Sequence, residues 1–419
     1  MEMKRRDFFA DGIRAALAAL PLGLGGVEVA FADEREPRAD VFVSLFLRGA
    51  SDGLNFIPPL SGEDRKLYED ARPNLQMPLT GDAALLKLDD RFGFHPSAAP
   101  LLPLFKEKKL AVIHSAGLPA DSRSHFDAQA LMELGTPDRK TTGSGWLSRF
   151  IQTQKAPRPG PKEFDLRAVS VGTLIPTSYL GDPAAACIGQ VGQLNLGGGP
   201  KVQEFEVGVL RKMYGGKGWL QQSGLQALET MERVHQNAPK EYVPQGAVDY
   251  GNSEIGNRMK TLAQLIKMGL GVQVAAVDMG GWDTHRFQGT GNEGRFAGLV
   301  KQLSQALAAF HKDLQGTAVT TVVMTEFGRR LKENANRGTD HGHGGFMLAL
   351  GEQVNGGKVY GDWRGLRNEN LYERADLAVT TDFRQVLAEA LIRRMKNGKI
   401  DTIFPRYKGY KALGIFREV

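Results

Sequence analysis

VFVSLFL, residues 41–47, is the stretch from which the fold can be read. It is apolar at six of seven positions and rich in β-branched and aromatic side chains, with no polar–apolar alternation. A strand with one face in water alternates. A strand covered on both faces reads as a continuous apolar run, as in parallel sheets packed between helices. Runs of the same kind recur at LAVIHSAG (110–117), LRAVSVG (166–172), VQVAAVDMG (272–280), AVTTVVMT (318–325) and FMLALG (346–351). Between them, Arg258–Met268, Arg295–Leu314 and Phe383–Met395 repeat apolar residues at three- and four-residue spacing, the period of a helix with one buried face. Strands alternating with helices predict an α/β fold, a doubly wound, mainly parallel sheet sandwiched by helices. Glycine–proline clusters at 156–162 and 197–200 mark surface loops, and helical pieces over about 201–257 read as a cap or insertion in a domain spanning 33–419.

The N-terminus stands apart. Arg5-Arg6 is followed by Asp7-Phe8-Phe9, a weakly apolar stretch from about Ala15, and Ala30-Phe31-Ala32 with small residues at both signal-peptidase positions. This is the layout of a twin-arginine signal peptide over 1–32, which predicts a passing partnership with the twin-arginine translocase and a periplasmic or secreted destination. The apolar part is too short and glycine-rich to span a membrane comfortably, and no later stretch is long enough. Folded export is compatible with a cofactor inserted beforehand. A single cysteine, Cys187, excludes an internal disulfide. The formal net charge of +6 is spread along the chain without a basic block or nucleic-acid motif, so no nucleic-acid partner is expected.

Ligands of open α/β sheets bind beyond the carboxyl ends of the strands. The segment after each of four predicted strands is polar. RGASDGLN brings Asp52; AGLPADSRSHFDAQALMELG brings Ser124 and His125; DMGGWDTH brings Asp278, Asp283 and His285; EFGRR brings Glu326, Arg329 and Arg330. The loop GTDHGHGG (338–345) adds Asp340, His341 and His343. Carboxylates and imidazoles gathered at one edge suit zinc, manganese or another divalent ion, one or two per chain, because clustered carboxylates repel unless a cation or protons neutralise them. Plainer readings exist for single members. Asp52 before glycine is also turn chemistry, and Ser124 is also an N-cap. Arg329 and Arg330 are surface ion-pair formers, or one of them is an oxyanion holder. His95 and His114 read as structural, His235 and His311 as exposed, and Trp282 as packing.

In order along the chain, LFLRGASDGLNFIPPL, RFGFHPS, SRSHFDAQALMELG, DMGGWDTH, TEFGRR and GTDHGHGG, then GKVYGDWRGL, resemble the exported bacterial family called domain of unknown function 1501, from about Val41 to the C-terminus. That resemblance implies an alkaline-phosphatase-like fold, in the superfamily of sulfatases and cofactor-independent phosphoglycerate mutases, with divalent metal at the strand ends. It implies that Asp52 is a first-strand metal ligand and Ser124 a nucleophile. Asp278 or Asp283 would pair with His285 on a metal. TEFG has Glu326-Phe327 where the superfamily carries Asp-His, so His341 and His343, with Asp340 as a ligand or an orienting partner, would complete a one-metal or reshaped two-metal site. Cys187 lacks the Cys-x-Pro-x-Arg context of sulfatases. The implied activity is hydrolysis of phosphate esters or related anionic esters, on a small-molecule or glycan substrate. The competing expectation is a non-catalytic envelope binding protein that keeps the fold.

Overall fold

A computed structural model describes residues 41–154, 166–194, 196 and 199–418. The stretch read as a twin-arginine leader, the charged lead-in, the 156–162 loop and part of the 197–200 cluster lie outside the described residues. The strands are β1 (Val41–Leu47), β2 (Leu86–Lys87), β3 (Gly93–Phe94), β4 (Leu110–Gly117), β5 (Ala168–Val171), β6 (Ala186–Ile188), β7 (Val274–Met279), β8 (Val319–Thr325), β9 (Gly345–Leu350), β10 (Val359–Tyr360) and β11 (Thr381–Asp382). The main sheet runs β10-β4-β9-β8-β1-β7-β5-β6, with β11 also on β4, and β2–β3 form a separate small hairpin. Within the main sheet only β9 runs antiparallel to its neighbours, β4 and β8.

VFVSLFL is the central strand, and its continuous apolarity has a direct cause. Val43, Leu45 and Leu47 enter one core, packed with the helices Glu254–Lys267 and Gly294–Asp313. Phe42 and Phe46 enter the other, packed with the helices His125–Leu134, Trp146–Thr153 and Phe383–Arg393. Burial of large apolar side chains on both faces supplies the main stabilising term. The 201–257 region contains the helices Pro200–Met213 and Trp219–Asn237, followed by a short 3-10 turn. No helix of the described residues is long and apolar enough to cross a membrane.

Parallel β1, β4, β7 and β8 end at one edge, and antiparallel β9 begins there. The segments 48–52, 118–125, 280–288, 326–330 and 338–344 therefore converge. They approach so closely that glycine is required at two points. Gly49 has φ +116°, and a Cβ there would lie 2.6 Å from the Asp283 backbone nitrogen. A Cβ on Gly342 would lie 2.5 Å from the Arg329 carbonyl carbon, so the bare loop between His341 and His343 packs directly on the segment after β8.

His95 and His114 are buried and structural. His95 Nδ1 accepts from the Ser97 N–H, and His114 Nε2 lies 3.1 Å from the Ile57 carbonyl. His311, expected exposed, is instead half-buried and 3.2 Å from Glu352, because its helix packs against the sheet. Burial lowers His95 and His114 from 6.5 to about 4. Between those values the unfolded chain binds protons that the folded chain refuses. The stability from these neutral rings is thus complete above pH 6.5 and drains as pH falls toward 4, up to about 3 kcal/mol per ring. Urea midpoints measured from pH 7 down to 4.5 should fall steadily, and His114→Gln should flatten that slope. A midpoint insensitive to pH contradicts this.

Candidate metal centre

Three imidazoles meet at the strand-end edge. His125 is the first residue of its helix, placed there by the Ser124 cap; His285 lies in the loop after β7; His341 lies in the loop entering β9. Each has its Nδ1 engaged by an oxygen that can only accept. His125 Nδ1 is 2.8 Å from Glu326 Oε1, His285 Nδ1 is 3.0 Å from Asp340 Oδ1, and His341 Nδ1 is 2.8 Å from the Arg123 carbonyl oxygen. The Nδ1 atoms therefore carry protons, and each Nε2 is the ring atom that offers a lone pair to an ion once it is deprotonated.

All three Nε2 atoms point at one oxygen. Asp283 Oδ1 lies 3.1 Å from His285 Nε2, 3.4 Å from His341 Nε2 and 3.6 Å from His125 Nε2. His285 and His341 oppose their Nε2 atoms at 2.9 Å. Two lone pairs at that distance repel unless a proton or a cation lies between them. His125 Nε2 is buried with no hydrogen-bond partner among the described residues. A buried unpaired nitrogen costs about 1–3 kcal/mol, which a ligand atom would recover. Ligand atoms of His125, Asp283 and His341 lie within 4.8 Å of one another, a spacing that one ion can close. The donor set, two imidazoles and a carboxylate with a third imidazole alongside, fits a zinc-like or manganese-like ion.

The supporting residues explain why this arrangement holds. Glu326 is fully buried. It accepts from the Gly49 N–H, from Gln129 and from His125. Burial pushes its carboxyl up, but the His125, Gln129 and backbone hydrogen bonds outweigh it and hold the pKa below the usual range. The same Glu326 bond raises His125. Asp283 is driven down to about 2, against an opposing burial effect, by the Arg329 guanidinium 2.6 Å away and by the neighbouring histidines. Phe327 stacks on His125 at 5.0 Å and leans on His341 at 5.1 Å, forming an apolar wall beside both rings.

Several expected site residues sit elsewhere. Asp52 is in a fully buried ion pair with Arg72 at 2.6 Å and accepts from Gln288 at 2.7 Å; the arginine occupies the place a cation would take. Asp278 pairs with Arg48 at 2.8 Å, part of a clamp that also holds Gln129 and Glu133 of the His125 helix, so Asp283 and not Asp278 joins the cluster. His343 stacks on Tyr372 at 4.1 Å, away from the other imidazoles. Arg329 is buried and donates to the Gly49, Ala50, Trp282 and Thr339 carbonyls and to Asp283, so it braces the loops around the cluster. Ser124 is exposed, and its hydroxyl caps the helix by accepting from the Asp127 N–H at 3.4 Å. Glu326 and Asp340 orient imidazoles. His125 is absent from the ligand set that the sequence implies, although it stands beside Ser124 at a helix start beyond β4, where an inward side chain could have been anticipated.

Fold and cluster together define an α/β protein with a histidine–carboxylate centre at the carboxyl edge of its sheet. The family model described as "Protein of unknown function (DUF1501)" matches residues 39–402, and the chain belongs to that family. A search of curated proteins found no match. Among solved structures, the C-terminal periplasmic domain of EcEptC from Escherichia coli, in complex with Zn, is similar at 10% identity over 77% of this chain and 76% of that one, with a TM-score of 0.34. That score is too low for the likeness to bear on the site.

Proposed function

We propose that this protein is an exported metal-dependent hydrolase of phosphate esters or related anionic esters, with one divalent ion held by His125, Asp283 and His341. The convergence of three Nε2 atoms on Asp283 Oδ1, one of them buried and without a hydrogen-bond partner among the described residues, carries this reading. When bound, the ion would supply Lewis-acid neutralisation of the charge on the scissile group. Three protein donors with a solvent side is the pattern of a catalytic centre. His285, half-exposed and backed by the Asp340 carboxylate, is suited to accept a proton. Ser124, at the N-terminus of a ten-residue helix where an anion is favoured, is the candidate attacking hydroxyl, as the family resemblance implies. Arg330 replaces Arg329 as the accessible guanidinium at this edge.

Turnover on a panel of phosphomonoesters, phosphodiesters and sulfates tests the reading. Metal-loaded protein should turn over at least one class, Ser124→Ala should abolish that while keeping the metal, and His285→Ala should do likewise. A metal-replete protein inactive on the whole panel favours the alternative, a binding protein of the cell envelope that retains the centre. The capping bond that engages the Ser124 hydroxyl is the observation on that side.

Glu326→Gln keeps shape and an acceptor but removes the charge that fixes His125. Zinc affinity measured by titration should fall about 10–100-fold, the cost of losing an outer partner of a metal-bound imidazole. An unchanged affinity means that Glu326 serves folding only.

A further inference from the structure

The helix Pro200–Met213 carries an apolar ridge that no described part of the chain covers. Val202, Phe205, Val209 and Met213, at three- and four-residue spacing, share one face and are all exposed, Phe205 by 71% and Met213 by 69%. The opposite face is already used. Tyr214, just past the helix, lies over Gly224 of the next helix, and Arg211 pairs with Glu232 at 2.6 Å. The ridge is therefore not a misplaced core face but a second apolar surface. Lys201 and Lys212 flank it on one side, both exposed. Glu206, on the other flank, is half-buried with one carboxylate oxygen withdrawn from solvent. Leu220, at the start of the next helix, is also exposed.

We infer that this face docks on an anionic lipid surface, with Phe205 and Met213 entering the headgroup boundary and Lys201 and Lys212 meeting lipid phosphates. The charge pattern selects this occupant over a second copy of the chain. In an antiparallel pairing about the middle of the ridge, Lys201 of each copy would fall within one turn of Lys212 of the other on the same flank, and the like charges would repel. An anionic bilayer accepts both. An amphipathic helix with aromatic and aliphatic residues on one face and lysines at its border has the composition of an interfacial helix, and each lysine near an anionic surface adds attraction that salt screens.

Vesicle cosedimentation of the full chain tests this. Binding is expected to phosphatidylethanolamine–phosphatidylglycerol vesicles and not to phosphatidylcholine vesicles. The Phe205→Ser/Met213→Ser pair and the Lys201→Glu/Lys212→Glu pair should each weaken it at least about tenfold, with the second effect fading at high salt. The N-terminal leader is common to all variants and contributes equally to each. The four positions are exposed, and unchanged circular dichroism shows that the variants fold. Absence of anionic-vesicle binding, or binding indifferent to both pairs, overturns the inference. A concentration-dependent dimer lost in Phe205→Ser/Met213→Ser also overturns it, because a second copy would then cover the ridge.

Discussion

Zinc affinity is expected to fall by at least about a hundredfold in His125→Ala, because removing a direct donor costs no less than removing an outer partner of one. The argument is geometric. His125 Nε2 is the one cluster nitrogen that is buried and unpaired among the described residues, and Glu326 fixes its ring from behind. His341→Ala should lose a similar amount. His343→Ala should lose almost none, since its ring lies on Tyr372. The contrast is sharp because both histidines belong to the same eight-residue loop. Calorimetric titration of zinc into the three variants reads it directly. A His343→Ala protein that loses zinc as fully as His341→Ala would mean that the ion is held on the other side of that loop. Binding should also weaken on acidification, since protons compete for the imidazoles.

Arg72→Met is expected to destabilise the fold by about 3–5 kcal/mol, the cost of leaving one member of a buried ion pair without its partner. Asp52 and Arg72 are both fully buried. The guanidinium also donates to Asn55 and to the Leu331 and Arg330 carbonyls, so it ties the segment after β1 to the segment after β8. Asp52→Asn alone should cost less, because the amide remains a polar partner. The double variant Asp52→Asn/Arg72→Met should recover part of the loss, which separates the orphaned charge from lost packing. Urea denaturation measures all three. If Arg72→Met is nearly neutral while Asp52→Asn releases a bound metal, then Asp52 is a ligand after all and the ion-pair account fails.

The sheet was legible because its evidence is local. Continuous apolar runs such as 41–47 and 110–117 reflect burial on both faces, and the strands fall where those runs predict. β6, β10 and β11 escaped because two or three residues carry no period. The convergence of polar segments on one edge was legible too, since it follows from strand direction. Which acid faces the centre was not. Asp278 lies near the end of β7 and Asp283 in the loop after it, and Arg48, far away in sequence, claims the first. Asp52 looks like a ligand until Arg72 arrives from the end of the helix Gly62–Ala71. Glycines around His341 and His343 mark a tight loop without saying which imidazole turns inward; Tyr372 decides that. Partners distant in sequence select among chemically equivalent residues, and spacing alone does not encode them.

An anomalous difference map from a crystal of zinc-soaked protein, collected at the zinc edge, tests the central claim most directly. One peak is expected per chain, at about 2.0–2.2 Å from Nε2 of His125 and His341 and from a carboxylate oxygen of Asp283. A peak at Asp52 or beside His343, or no peak with full zinc in the soak, contradicts it.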